Sequence, residues 1–270
     1  MVRRGLRSFA KRHWIARAEQ LGGEPAPPAP PADEELFAEP PNPDAVARRA
    51  AVLGAVVTRG LVECDSTGED PAATLAADLA FYDEHDLARD AEPGEDALIR
   101  APHGTLPAQD AVDATWRAEG LAVLGWALGR LDALPPIDQT VDLAGLGEAL
   151  ELPWAPGDVA VLRSPHLRPA ADLERLDTLL LTAHWRVRHV LHVDPAAMDY
   201  VAWVPGVEWA PLSLEGLEVV DRDLAVGGVP IAAAGRDLVQ TAESILTERR
   251  LAVSWLNGYD ELYSEGDTNT

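Results

Sequence analysis

Apolar residues recur about once per helical turn through most of the chain after residue 44. In the first such segment, Val46, Ala50, Leu53 and Val57 follow one another at the spacing of an α-helix. Signals that start helices, such as an aspartate before a proline, stand at several segment boundaries. The pattern predicts six helices, over about Pro43–Cys64, Pro71–Tyr82, Pro107–Leu131, Asp142–Glu151, Pro169–Val193 and Arg236–Leu256.

The segment 194–233 breaks this helical pattern. Prolines and glycines interrupt short apolar runs there, and Leu224–Val226 and Val229–Ile231 flank the pair Gly227–Gly228, which indicates a small β-hairpin. Because Pro230 has no N–H for a strand ladder, its strand should lie at an edge. The predicted fold class is therefore mainly α: a single helical domain with a small β-hairpin in an irregular insertion before the last helix.

Composition divides the chain into three parts. Residues 1–21 form a basic arm, and residues 22–43 are rich in proline, which predicts a disordered, semi-extended linker. The helical domain then covers residues 44–270. We expect residues 1–43 to be dispensable for folding, because they have neither the apolar content nor the periodicity of a core.

The basic arm has an amphipathic pattern, with apolar residues near one helical face and basic residues around it. Such a segment could lie on a membrane, dock on an acidic partner or on the acidic body of this protein, or remain a solvated tail. We interpret it as a solvated tail. Its apolar residues include Val2, Leu6, Phe9 and Trp14, and its basic residues are Arg3, Arg4, Arg7, Lys11, Arg12 and Arg17.

Net charge restricts the partners of the folded part. The 22 basic and 45 acidic residues give a formal net charge of −23, and the arm is the basic exception. A body this acidic repels nucleic acid and anionic membrane, so we expect neither to bind the folded domain. It attracts cations and basic proteins instead. We therefore expect an unknown protein partner of basic character.

Three features of the sequence indicate a cytoplasmic protein. No segment reaches the ~18 apolar residues of a membrane span. Arg3 and Arg4 resemble the start of an export signal, but no apolar core or cleavage site follows them. The single cysteine, Cys64, excludes an intrachain disulfide and a multi-cysteine metal site.

Two ionisable residues interrupt the apolar faces of long helices. Glu119 falls among apolar positions of the helix over Pro107–Leu131, and Arg249 falls near the centre of the apolar face of the last helix. Since a buried charge needs a partner, we predict a structural ion pair between them. Glu119 could instead meet Arg186 or Arg188, or act as a proton-handling catalytic carboxylate tuned by arginine. The apolar positions around Glu119 are Val112, Trp116, Val123 and Trp126.

The helix over Pro169–Val193 contains the other candidate residues. His184 and Arg188 lie one turn apart and are the further catalytic candidates. His189 points about 140° away from His184, so only His189 and His192 could share a metal. Two histidines without a fixed carboxylate do not make a strong zinc site, and the HExxH motif is absent. We therefore expect no metal and no cofactor.

Three segments taken together resemble one protein family. They are Trp116–Gly129, then Leu176–Asp177 with His184–Arg188, and finally Glu248–Leu256 with Asp267–Thr268. In this order and spacing they resemble the bacterial domain-of-unknown-function family 4272, and Arg48–Gly60 resembles the opening helix of that family. The resemblance covers about residues 44–270. It implies a helical fold and assigns no catalytic residue.

No catalytic motif decides the function, since a nucleophile elbow, a Walker loop and a Rossmann fingerprint are all absent. The leading hypothesis is a non-catalytic binding or interaction protein, such as an accessory or immunity-like partner. Its basis is the strong acidity and the tryptophans Trp203 and Trp209 in the irregular segment. The alternative is a metal-assisted hydrolase that uses the His184–His192 helix with a carboxylate such as Asp177 or Asp194.

Overall fold

The computed structural model describes residues 38–64, 70–151 and 160–266, and most of them are helical. The prediction of a mainly α fold is thereby confirmed. None of the described helices is both long and apolar enough to cross a membrane. The α-helices are α1 (Pro43–Cys64), α2 (Pro71–Glu84), α3 (Glu95–Arg100), α4 (Ala108–Ala127), α5 (Leu143–Leu150), α6 (Ala170–Arg188), α7 (Tyr200–Trp203) and α8 (Arg236–Leu256).

The starts of several helices follow the capping signals of the sequence. Asp70 and Asp142 each accept hydrogen bonds from two backbone N–H groups in the first turn of α2 and of α5. Asn42 accepts the N–H of Ala45 in α1, directly before Pro43. These side chains satisfy N–H groups that have no partner within the helix.

Helix α4 is central to the core because it packs against both α1 and α8, and α8 packs in turn against α6. Small residues allow the close approach of α1 and α4. A Cβ atom at Gly60 of α1 would lie 2.8 Å from the Cβ of Ala114 and 2.8 Å from the carbonyl oxygen of Ala111. The contact between the two helices therefore depends on glycine at this position. Helices α2 and α3 pack on the same helix α1.

The predicted hairpin is present, and a third short strand extends it. Strands β1 (Val219–Val220), β2 (Asp223–Val226) and β3 (Val229–Pro230) form an antiparallel sheet in the order β1-β2-β3. Gly227 and Gly228 both have positive φ angles, as a tight two-residue hairpin turn requires. The strand that contains Pro230 lies at an edge, as predicted, and the buried central strand β2 contacts α8.

Some elements differ from the sequence prediction. Val112 is 41% exposed although the helical wheel placed it on the apolar face, because α4 turns the small residues Ala111 and Ala114 toward α1. Helix α4 also ends at Ala127, before the predicted bound. The last turn of the histidine helix is a π-helix, His189–Val193. Helices α3 and α7 lie in segments that were predicted to be irregular.

Candidate functional site

Glu119 and Arg249 lie together in the interior, where α4 packs against α8. Nε and Nη2 of Arg249 donate to Oε2 of Glu119 over 3.0 and 2.8 Å. Glu119 is 2% exposed and Arg249 is 1% exposed. Each residue occupies a buried position of its own helix, so the packing of the two helices brings the opposite charges into contact. Arg186 and Arg188, the alternative partners, bind other residues.

Arg249 also holds the loop that follows α4. Its two Nη atoms donate to three carbonyl oxygens of that loop, and Oε1 of Glu119 accepts the N–H of Val141 over 2.8 Å. Burial lowers the pKa of Arg249, and the charge of Glu119 opposes this effect. The polar atoms of the pair are thus engaged with the protein itself, which is the arrangement of a structural anchor. The carbonyl groups belong to Pro135, Pro136 and Gln139.

A second buried ionic group surrounds Tyr263, which follows α8. The guanidinium carbons of Arg49 and Arg117 lie 4.9 and 5.9 Å from the centre of its ring, and Arg117 also pairs with Glu248 over 3.1 Å. Burial raises the pKa of Tyr263, and the charge of Glu248 raises it further. The phenolic oxygen lies against Gly120 of α4, where any Cβ atom would overlap it. The ring therefore fits only because Gly120 has no side chain.

Two glutamates fix the arginine and the backbone on one side of this ring. Glu95 accepts Nη1 and Nη2 of Arg49 over 2.6 and 2.5 Å, which is a bidentate pair. Glu92 accepts the backbone N–H groups of Tyr263 and Ser264. The group connects α1 with the segment after α8, which are far apart in the sequence. The ion pairs of this group therefore hold α1 and the segment after α8 together.

His184 is completely buried between α6 and α8. Its Nδ1 lies 3.4 Å from Nη1 of Arg250, and its Nε2 lies 3.4 Å from Oγ1 of Thr247. Burial lowers the pKa of His184 well below its ordinary value, and the positive charge of Arg250 lowers it further. Nearby, Asp177 accepts the hydroxyl of Tyr259 over 3.2 Å, and burial raises the pKa of Asp177 while Arg250 opposes the rise. His184 has no exposed surface through which a substrate could reach it.

Of the remaining candidates on this helix, Arg188 and His192 share one partner and His189 has another. Nη1 of Arg188 lies 3.8 Å, and Nε2 of His192 lies 2.7 Å, from the same Oε1 of Glu243 on α8. Nδ1 of His189 instead faces Nη1 of Arg186 at 3.1 Å, and burial lowers the pKa of His189. His189 and His192 therefore do not converge.

The carboxylates of the hydrolase alternative lie apart from these histidines. Asp177 faces Tyr259 in the core, while Asp194 accepts the backbone N–H of Ala196 in its own turn. Within the described part of the chain, no three His, Cys, Asp or Glu side chains are placed to share a metal ion. The geometry thus provides no ligand set for a metal-assisted reaction among these residues.

The pattern of the sequence did not reveal the buried pair of Arg186 and Asp223. Nε and Nη2 of Arg186 donate to the two carboxylate oxygens of Asp223 over 2.8 and 2.6 Å, with both side chains almost fully buried. Beside this pair Trp185, Tyr200 and Trp203 stack, and the rings of the two tryptophans are 3.9 Å apart. The available signal was the position of Arg186 on the buried face of α6, but its partner lies on β2.

An open groove runs along the outer side of α6. Its volume is about 710 Å³, within the range of small-ligand sites. One wall is formed by the end of α4 and the segment before α6, and the other by the loop before β1. The residues that line the groove include Trp126, Arg168, Glu174, Leu176, Leu179 and Glu215.

Asp78 of α2 is a buried carboxyl that titrates near neutrality. It is 4% exposed, and its Oδ2 has no hydrogen-bond partner in the described part of the chain. Burial raises the pKa of Asp78 to about 7, although a hydrogen bond with Thr58 opposes the rise. The folded state therefore keeps this proton to a higher pH than the unfolded state. As pH rises from about 4 to about 7, this group makes the fold progressively less stable.

We expect Asp78→Asn to increase the stability of the protein at alkaline pH. Urea denaturation measures the free energy of unfolding at pH 5 and at pH 8. The advantage of Asp78→Asn over the wild type should be larger at pH 8 by about 2–3 kcal/mol. Glu84→Gln, at an exposed position of the same helix, is the matched control and should leave the pH profile unchanged. Parallel profiles for Asp78→Asn and the wild type would contradict the prediction.

The fold and these sites define a class of protein: a helical domain whose buried charges connect its own elements and whose groove faces solvent. The chain belongs to the family described as Domain of unknown function (DUF4272), because the model of that family matches residues 10–198. The match includes Trp116–Gly129 and His184–Arg188. It begins within the basic arm and ends before α8, so Glu248–Leu256 lies outside it. No curated protein and no solved structure matches the chain.

Proposed function

We propose that this chain is a non-catalytic binding protein that takes a basic protein partner on its acidic surface, in an accessory or immunity-like role. The observation that supports the proposal most strongly is the excess of negative charge on the described surface. Exposed carboxylates outnumber exposed arginines there, and most of these arginines already lie in ion pairs, which leaves the negative charge in excess. The paired, exposed arginines are Arg89, Arg100, Arg163, Arg175 and Arg222.

The buried ionisable groups also favour binding over catalysis. Glu119 is held by Arg249 and by the loop after α4, and His184 lies beside Arg250 without access to solvent. An acid–base catalyst needs to reach the proton of a bound substrate directly or through one water. The polar atoms of Glu119 and His184 contact other groups of the protein instead.

The same charge distribution indicates the kind of partner. A net charge of −23 attracts a basic surface and accelerates its association, and it repels nucleic acid. The proposal includes a cytoplasmic location, which the absence of paired cysteines in the sequence favours.

The proposal is tested by affinity purification of the tagged full-length chain from its native host. We expect a basic protein to remain bound at about 0.15 M salt and to be released at about 1 M salt, where the Debye length falls to about 3 Å. An unrelated protein of similar negative charge is the matched control and should not retain that partner. With the purified partner, the Kd should rise at least about tenfold over this range of salt. Recovery of no partner beyond the control, together with a measured enzymatic turnover, would refute the proposal.

A further inference from the structure

Three carboxylates line the groove along α6 beside an apolar floor, and one of them, Asp172, is paired with Arg175. The other two, Glu174 and Glu215, take part in no ion pair within the described part of the chain. The floor is contributed by Trp126, Leu176 and Leu179. A ligand that combines positive charge with apolar side chains would satisfy both features.

The two arginines of the groove reduce its negative charge but do not reverse it. Arg168 donates to the backbone carbonyl groups of Trp126 and Leu131, and its guanidinium lies 4.9 Å from the ring centre of Trp126. Arg175 is paired with Asp172. Asp172 balances Arg175, whereas backbone carbonyls leave the charge of Arg168 in place. Two positive and three negative side chains line the groove, so its net charge is −1.

We propose that this groove binds the basic arm of the same chain, residues 1–21. The arm has the complementary composition, since it combines arginines and a lysine with Leu6, Phe9 and Trp14, while Glu19 is its only acidic residue. Opposite charges within about a Debye length attract, and the apolar side chains gain by burial against the floor of the groove. This inference goes beyond the proposed function, because it needs no second protein.

A series of contacts leads from the start of the described chain to the helix that lines the groove. Ala38 lies against Gly258, directly before Tyr259, whose hydroxyl donates to Asp177 on α6. Glu174, which lines the groove, precedes Asp177 on the same helix by about one turn. The start of the described residues is therefore connected to the groove through a short series of contacts.

The linker is long enough to reach the groove. Residues 22–37 are rich in proline, and an extended proline-rich chain covers about 3.1 Å per residue, or about 50 Å for this segment. A tethered arm also has an effective concentration near the millimolar range, so a weak site is sufficient for occupancy. Binding in cis thus requires only modest affinity.

The composition of the chain allows a direct test, because Lys11 is its only lysine. A carbodiimide joins an amine to a carboxylate that touches it, without a spacer. In the full-length protein we expect mass spectrometry to find Lys11 joined mainly to Glu174 or Glu215. A mixture of isotope-labelled and unlabelled chains should show these links within one chain.

Substitutions in the full-length chain distinguish specific docking from general attraction. Changing Arg3, Arg4 and Arg7 together to Gln should reduce the yield of these links at least about fivefold, and about 1 M salt should reduce it similarly. The matched control changes the exposed Glu208 and Glu218 to Gln and should leave the yield unchanged.

Three results would overturn the inference: links spread over many exposed carboxylates, links only between different chains, or no link to the groove. Because the experiment contains no partner protein, such a failure leaves the proposed function intact. Conversely, failure to capture a basic partner would leave arm docking intact.

Discussion

Replacing Arg249 with Met, or Glu119 with Gln, should destabilise the fold by on the order of 3–5 kcal/mol. Either change leaves the opposite partner buried with an incomplete set of hydrogen bonds, and Arg249→Met also deprives three loop carbonyls of their donor. Urea denaturation monitored by tryptophan fluorescence measures the loss. These changes should also release the loop after α4, since both residues bind it.

The double variant decides whether the two residues interact. If they form a pair, the combined loss should be smaller than the sum of the single losses, because the second change removes a charge that the first had left unpaired. Asp199→Asn and Arg222→Met, at an exposed ion pair, are the matched control and should each cost less than about 1 kcal/mol. Additive losses would show that Glu119 and Arg249 do not interact. Unchanged stability combined with lost activity would make Glu119 a catalytic residue.

Gly120→Ala should be the second strongly destabilising change, with a cost on the order of 3 kcal/mol. The new methyl group would overlap the phenolic oxygen of Tyr263, so the ring must leave its position between Arg49 and Arg117. In a helix, alanine is normally more stable than glycine by about 1 kcal/mol. A loss of stability in Gly120→Ala would therefore be opposite in sign to the difference in helix propensity. Gly125→Ala, in the same helix, is the matched control, because its new methyl group would meet the flexible ends of Leu150 and Leu131 at 3.1 and 3.5 Å.

Removal of the tyrosine hydroxyl identifies the atom responsible. Tyr263→Phe should be neutral or slightly stabilising, because this oxygen has no hydrogen-bond partner in the described part of the chain. In the Gly120→Ala background the same change should restore part of the lost stability. If Tyr263→Phe gives no recovery there, the clash with the hydroxyl does not cause the loss.

The sequence by itself was sufficient for the local elements. The spacing of apolar residues and the capping aspartates predicted α1, α2, α5 and α8, and the glycine pair at Gly227–Gly228 predicted the hairpin turn. These features depend on interactions within a few residues, so the information lies within each segment. Segments with weaker local signals, such as α3 and α7, were not predicted.

For Glu119 and Arg249, helix periodicity predicted the residues of the site but not its geometry. A charge at the centre of an apolar face must find a partner in the interior, and each helix had one such charge. The periodicity identified both residues, but only helix packing placed them 2.8 Å apart and enclosed them with the loop carbonyls. The loop has no pattern of its own that specifies this contact.

Arg186 and Asp223, the ring of Tyr263 against Gly120, and the groove along α6 were decided by the tertiary structure alone. Their members lie on different elements and are separated by long stretches of sequence, 37 residues in the case of Arg186 and Asp223. Burial also gave Asp78 and His184 their altered pKa values, since desolvation depends on every neighbour around the group. The sequence determined most of the helices and identified Glu119 and Arg249 as charges that need partners. The packing of those helices determined which partner each charge found, because that choice depends on side chains brought together from distant parts of the chain.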